Sequence, residues 1–441
     1  MGKIIHRATL RPHVNPPRHV HVVGAGLAGL AAATALAARG VPVSVYEAGP
    51  AAGGRARSYY DRELGAVIDN GNHLLLSGNR AAMAYLARIG ARDPLSGPTR
   101  AIFPFFELPS GRRWTVAPNA GRIPWWILAR SRRVPGARLG EYLALHRLMR
   151  ARAGETVASL LAPGELSRRL LEPLAIAALN TMPADAEARL LGAVLEQTLV
   201  HGAAACRPLV AREGLSESFV DPARAFLAAR GGTLRTGARL AAIDTIADRA
   251  TMLRFAATSV RVEPDEAVVL AVPAAVAPAL LPGLVAPDAF EAIVNLHYGV
   301  TAELPGGAGF IGIIGGAAEW LFARPHTLSV TISAANRVVD RDAEQLARLV
   351  WPEIVAAAGL ATAPMPAWRV VKERRATFAA TPAQNARRPG PRTTLANVLL
   401  AGDWTATGLP ATIEGAIRSG DRAAALLLEP GTPLPPGPDP A

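Results

Sequence analysis

Residues 19–48, HVHVVGAGLAGLAAATALAARGVPVSVYEA, constrain the fold more than any other stretch of the 441-residue chain. HVHVV and VPVSVYEA are apolar and β-branched, and the Ala- and Leu-rich run between them has helical character. Gly24, Gly26 and Gly29 stand in the spacing G-x-G-x-x-G where the first strand meets the helix. The first glycine allows a tight turn, the second lets a pyrophosphate approach the backbone, and the third lets helix pack on strand. Amides at the helix start, Leu27 and Ala28 included, then face phosphate with the positive end of the helix dipole behind them. Gly40 is placed to end the helix. Glu47 closes the second strand 23 residues after Gly24, where a carboxylate accepts both ribose hydroxyls. The expected fold class is α/β, with a dinucleotide bound at a parallel sheet.

A second glycine loop follows in AGPAAGGRARS. Gly53 and Gly54 permit another close backbone approach, and Arg55 and Arg57 can reach a diphosphate or the ring system beyond it. PGGAGFIGIIGG repeats the glycine spacing at Gly307, Gly309 and Gly312, but no long helix follows, so it reads as a hairpin. No separate NAD(P)H domain is expected, and electrons come from an external donor or through the substrate pocket.

Half the residues are hydrophobic, and the length suggests two domains. The net charge of +12 invites a nucleic-acid reading, yet the basic residues are scattered, Lys3 and Lys372 are the only lysines, and no binding-module signature accompanies them. No nucleic-acid partner is expected. Cys206, the single cysteine, excludes an intrachain disulfide or a Cys-rich metal site, fits a reducing compartment and reads as a small buried apolar residue. No metal is expected. The first 18 residues lack the apolar core of a secretory signal, which points to the cytoplasm. Ala267 to Pro287 is uncharged but interrupted by Pro273, Pro278 and Pro282, so it reads as a buried strand, AVVLAV, and a proline-broken surface segment.

Residues 103–150 concentrate aromatics and arginines, with Trp125 and Trp126 beside Arg130, Arg132 and Arg133. That make-up suits either a lid helix or peripheral contact with an anionic membrane. The pocket-forming stretches offer Leu, Ile, Val, Phe and Ala with few carboxylates, favouring an apolar ligand over an amine. Glu319 with Trp320, His297 with Tyr298, and His326 read as structural residues. VDPARAFLAARGGTLRTGARLAAI reads as a helix from Asp221 to Arg230, a turn and a strand ending near Ile243. The chain closes with a strand, a Gly402-Asp403 turn, a glycine and proline loop, and a helix from about Ile413.

With the G-G-R loop after a ribose-binding glutamate, the chain resembles the FAD-dependent amine oxidase and phytoene desaturase superfamily, which favours FAD over NAD. The resemblance implies that Leu240 lies on the strand against the adenine. Asp403, beside Gly402, would bind the ribityl chain, and the amides around Pro410, Thr412 and Ile413 would meet the pyrimidine end of the isoalloxazine. It also implies that Gly71 and Asn72, in AVIDNGNHLLLSGN, pass beside the ring. The implied architecture is a Rossmann-like FAD-binding domain built from 19–100, 201–285 and 373–428, with a discontinuous α+β substrate-binding domain from 101–200 and 286–372. Residues 1–18 and 429–441 would be flexible termini.

DNGNHLLLSGN, RATFAATPAQNARRPG and NVLLAGDWTATGLPATIEGA together are most similar to the squalene-associated FAD-dependent proteins, the hydroxysqualene dehydroxylases, over residues 20–428. The chain departs from that family at Asn72, where glutamine is commoner, and at SGN, where a glycine-aromatic pair is. The resemblance implies an apolar isoprenoid substrate and reduction of hydroxysqualene to squalene in bacterial squalene and hopanoid biosynthesis. An allylic hydroxyl would depart with a proton, and a hydride from reduced FAD would quench the cation. Asp69 and His73 are the candidate acid groups, since an imidazole protonates near neutral pH and a carboxylate nearby would hold that proton. A turn stabilised by its own Asn and Asp side chains is the competing reading. A carotenoid-type desaturase or isomerase, an amine oxidase and a non-catalytic prenyl-lipid carrier are the alternative functions.

Overall fold

The computed structural model describes residues 16–361 and 364–428; the expected flexible termini, residues 16–18 apart, lie outside the described residues. In His19–Val23 alternate side chains point to opposite faces. Val20 and Val22 pack with Val43 and Val45 on one side, while Val23 joins Tyr46 and Leu270 on the other. Both faces are buried, and His21 is kept inside by Tyr46 OH and the Glu266 carboxylate at its two ring nitrogens. The strand lies at the centre of a five-stranded parallel sheet ordered Thr233–Arg235, Val43–Tyr46, His19–Val23, Glu266–Leu270, Val398–Leu400. Helices Leu27–Ala37 and Ile413–Leu428 cover one face, so close together that a Cβ on Gly420 would lie 2.1 Å from the Ala28 carbonyl oxygen. The antiparallel ribbon Leu240–Ile246, Arg249–Phe255, Ser259–Arg261 packs on the other.

Local expectations shift by a few residues. The first helix ends at Ala37, and Gly40 occupies the following turn with φ +76°. The helix expected from Asp221 to Arg230 runs Asp221–Ala228 after a wider turn at Ser216–Val220. The segment after Glu266–Leu270 is not simply surface: Ala274, Ala277, Leu280 and Leu281 join the core. Its prolines interrupt a helix ladder but leave the apolar side chains free to pack.

The second sheet has seven strands, ordered Trp368–Phe378, Phe290–Tyr298, Leu328–Ile332, Trp320–Ala323, Phe310–Ile314, Phe103–Glu107 and Arg112–Val116. The glycine-rich repeat leads into Phe310–Ile314, antiparallel to Trp320–Ala323, as a hairpin requires. Val294, Leu296, Tyr298, Val330 and Ile332 pack beneath helix Ala343–Ala358. The opposite face presents Phe105, Trp114, Phe310, Trp320 and Phe322, covered by a helical region that contributes Trp126, Tyr142 and Leu166. Glu107 ties sheet to cover through Arg168 and Arg169. Chiefly through the Arg169 hydrogen bond, its carboxyl is held down at about 2.

The boundary expected between 372 and 373 falls inside strand Trp368–Phe378, which pairs along Phe290–Tyr298. WRVVKERRATF forms the sheet edge, mostly half-buried or exposed, where charged side chains are tolerated and apolar alternation is not enforced. Among the described residues, no helix is long and apolar enough to cross a membrane.

Candidate active site

Two of the fingerprint glycines are filled by backbone and one faces open space. A Cβ on Gly24, whose φ is +105°, would lie 2.4 Å from the Ala271 carbonyl oxygen, and one on Gly29 would lie 1.9 Å from that of Gly24. At Gly26 nothing approaches within 4 Å. The G-G-R loop closes on this opening: the Gly53 amide donates to Ala25 O at 2.8 Å, and Gly26 and Gly53 form a parallel bridge. Glu47 accepts from the amides of Ala25 and Gly49 at 2.8 and 2.7 Å. Ala238 N donates to Glu47 O at 2.8 Å, which brings the start of the Leu240 strand beside the same turn. An open glycine at a helix N-terminus, a carboxylate at the strand end and the Leu240 segment alongside fit the phosphate, ribose and adenine of a dinucleotide.

Arg55 and Asp403, expected to reach the cofactor separately, also meet each other. Both Asp403 oxygens accept from Arg55 Nη2 at 2.8 Å, while Arg55 Nη1 donates to Ala376 O. This pair ties the G-G-R loop to the C-terminal turn. Arg57 remains exposed and donates to Gly54 O. Thr412 Oγ1 accepts from Gly415 N at 3.1 Å, capping the 16-residue helix that begins at Ile413 just after Pro410.

Sequence reasoning missed Arg388, the residue that fixes the Gly402-Asp403 turn. Its guanidinium donates to the carbonyls of Asp403, Trp404 and Thr405 and to Thr407 Oγ1, and lies 4.8 Å from the Phe378 ring centre. Burial pulls it down to about 10, so it remains charged at neutral pH. ARRPG offered two arginines and no local pattern to distinguish them, since Arg387 bonds Ala286 O and Asp288 instead.

DNGNH joins the end of the G-G-R loop to the second sheet, with Asn70 N donating to Arg57 O at 2.9 Å. Asn295 Nδ2 donates to Asn70 O at 3.3 Å, Gly71 sits against that same amide, and Asn72 Nδ2 donates to Thr331 Oγ1 at 3.1 Å. Thr331 Oγ1 donates onward to Asn295 Oδ1 at 2.9 Å. Asp69 points away from this network: its Oδ1 accepts from Ser58 Oγ and Leu215 N, and its Oδ2 from Arg324 Nη2 at 3.0 Å. No hydrogen bond joins Asp69 to His73 among the described residues, which corrects the direct proton-holding contact expected of them. Burial pulls the half-buried His73 below its ordinary 6.5; the Asp69 charge pushes back, and Arg55 adds to the lowering.

A cavity of about 430 Å³ opens beside this turn, lined among others by Asp69, Asn72, His297, Arg324 and Ser329. His297 Nδ1 pairs with Ser329 Oγ at 2.8 Å, while its buried Nε2 has no partner among the described residues. Desolvation brings its pKa down to about 4, so the ring is neutral at physiological pH. Tyr298 faces the opposite side and donates to Ala347 O, and Glu319 is held by Ser333 N and Arg337. Cys206 is buried, its thiol pushed up to about 12 by desolvation. The polar row Asn295–His297 and Ser329–Thr331 was readable only as period-two interruptions of apolar strands.

A dinucleotide cradle on a parallel sheet, with DNGNH joining its G-G-R loop to a second sheet, is the arrangement a flavin-dependent oxidoreductase needs. Residues 27–304 and 315–428 match the family described as flavin containing amine oxidoreductase. The chain is 52% identical to the hydroxysqualene dehydroxylase of Rhodopseudomonas palustris, over 93% of this chain and 99% of that protein. The Zymomonas mobilis hydroxysqualene dehydroxylase is 43% identical over 92% and 98%. The chain belongs to the flavin containing amine oxidoreductases and, within them, to the hydroxysqualene dehydroxylase family. It is an enzyme whose cofactor is FAD. Cyclohexylamine oxidase from Brevibacterium oxydans shares the fold with a TM-score of 0.70 at 17% identity, covering 94% of this chain and 99% of that one. Putrescine oxidase does so with 0.67 at 16%, covering 92% and 98%.

Proposed function

We propose that this enzyme removes the hydroxyl of hydroxysqualene to give squalene, a step of bacterial squalene and hopanoid biosynthesis, in the cytoplasm and with an external electron donor. The observation that carries the reading is a register. Thr331 lies opposite Trp320 and Ser329 opposite Phe322, so the polar row beside Asn72 passes within one strand spacing to an aromatic surface. A long hydrocarbon bearing a single hydroxyl presents the same contrast.

FAD, when bound in its reduced form, would supply the hydride; Gly26, Glu47, Leu240 and the Pro410 to Ile413 amides would hold it, with Gly71 and Asn72 on the turn expected beside its ring. Asn72 and Thr331 orient the substrate hydroxyl. His73, when protonated, gives its proton to the departing oxygen, because hydroxide leaves poorly. Asp69, anchored by Arg324 and Ser58, is a positioning residue whose charge raises the protonated share of His73. The aromatic face keeps water from recapturing the allylic cation. One proton and one hydride enter, and water and squalene leave.

The test is anaerobic incubation of the reduced holoenzyme with hydroxysqualene, followed by mass spectrometry of the lipid extract. Squalene is the expected product. Unchanged substrate, or a product that has gained a double bond, would sink the reading.

A further inference from the structure

The described residues include twelve exposed large apolar side chains, and five of them, Ile123, Trp125, Leu128, Leu139 and Leu143, fall within 21 residues of sequence. Ile123 and Leu128 are 78% and 65% exposed. This crest is built deliberately. Asn119, itself buried, donates to the carbonyls of Ala120 and Ile123 and accepts from Trp126 N, fixing the first turn. Trp126, expected to share the surface with Trp125, is instead buried edge-to-face on Tyr142 with ring centres 5.6 Å apart. That contact sets the Trp125–Leu128 turn against the turn carrying Leu139 and Leu143. Arg132 and Arg133 are half-buried and bond the carbonyls of Ala117, Pro118 and Ile127, and the Arg132 guanidinium lies 4.7 Å from the centre of the Trp125 ring.

The rim is basic. Arg122, Arg130, Arg138 and Arg147 are exposed and form no ion pair among the described residues. The only acidic residue between 117 and 150 is Glu141. Its carboxylate is occupied by the amides of Arg138 and Leu166, so it neutralises none of them. An ordered apolar crest with unpaired, exposed guanidinium groups interspersed along the same segment matches a surface that is hydrocarbon within and anionic at its headgroups. We propose that residues 122–147 dock this enzyme on anionic phospholipid bilayers. Trp126 belongs to the same buried cluster as Phe310, Trp320 and Phe322.

The test is co-sedimentation of the flavin-loaded protein, without substrate, with phosphatidylglycerol-phosphatidylcholine vesicles and with pure phosphatidylcholine vesicles. Binding is expected on the anionic vesicles and weakens with salt. I123S/L128S/L143S should lower the partition by about tenfold or more. R122E/R130E/R138E should abolish the preference for phosphatidylglycerol while flavin content and circular dichroism stay unchanged. Equal binding by both variants and the wild type overturns the proposal. So does a wild-type dimer that the serine variant dissolves with no vesicle binding, since a second copy would then cover the crest. Because no turnover is measured, failure here leaves the hydroxysqualene reading standing.

Discussion

The parallel sheet and the seven-stranded sheet prepare their ligands by different means. The first does so with backbone: three glycines, the amides of a helix start, and a carboxylate, Glu47, that itself holds two amides. The second does so with side chains standing on a finished sheet, Asn295 and Thr331 beside Trp320 and Phe322. A site of backbone cannot be altered without moving the chain. A site of side chains can be altered while the sheet survives on its other face, where Val294, Leu296 and Val330 pack under the helix. Variants of the first region should therefore lose cofactor and fold together, and variants of the second should lose chemistry while keeping cofactor and fold, at a stability cost of no more than about 3 kcal/mol.

Gly29→Ala attacks the first region and carries the largest effect. Its methyl would lie 1.9 Å from the Gly24 carbonyl oxygen, a contact no side-chain rearrangement relieves. We expect a destabilisation of about 4 kcal/mol or more, with little soluble protein and no flavin absorbance in what remains. A yellow, stable Gly29→Ala protein would show that the helix can shift away from the strand, and the contrast would fail.

His73→Gln tests the turn that meets the second region, at the candidate proton donor. It should keep bound flavin and thermal stability while turnover drops by about 10²–10⁴-fold. The pH profile gives the sign independently. Burial lowers the His73 pKa below 6.5, so the proton-donating form is scarce at neutral pH and grows on acidification. Wild-type turnover should rise from about pH 8 towards about pH 6, and the residual activity of His73→Gln should lose that slope. Identical profiles would remove His73 from the proton transfer.

The same contrast explains what could be read in advance. Backbone sites need glycines at fixed spacing, and the chain carries them in one stretch ending at Glu47, so the strand, glycine turn, helix and second strand were legible from the sequence. Side-chain sites need only the right groups on one face, and these come from strands far apart in sequence. Asn295 and Thr331 meet Asn72 across 223 and 259 positions. Arg324, the partner that directs Asp69 away from His73, lies 255 positions from it. Trp126 looked equivalent to Trp125 in a bare WWIL, and only the Tyr142 packing separates them. Strand Trp368–Phe378 was divided in the domain reading because edge position, a property of the assembled sheet, permits its charges.

The smallest expected effect bears on whether the two regions are coupled through DNGNH. Asn295→Ala leaves Asn70 O without its Nδ2 donor and Thr331 without its acceptor, which should cost about 1–3 kcal/mol in denaturant unfolding. Asn72→Ala alone removes a half-buried amide from the same network. If the network acts as one unit, the double variant should be less destabilised than the sum of the two, with a coupling of about 0.5–1 kcal/mol. Flavin should stay bound in all three, because the Gly24 to Gly29 cradle and Glu47 remain intact even where the Asn72 side chain, expected beside the ring, is removed, while KM for hydroxysqualene rises in each. Strict additivity would mean that the turn rests on the sheet without being positioned by it. Loss of flavin from Asn295→Ala would instead make the second sheet part of the cofactor site, and the division between backbone and side-chain sites would have to be redrawn at Gly71.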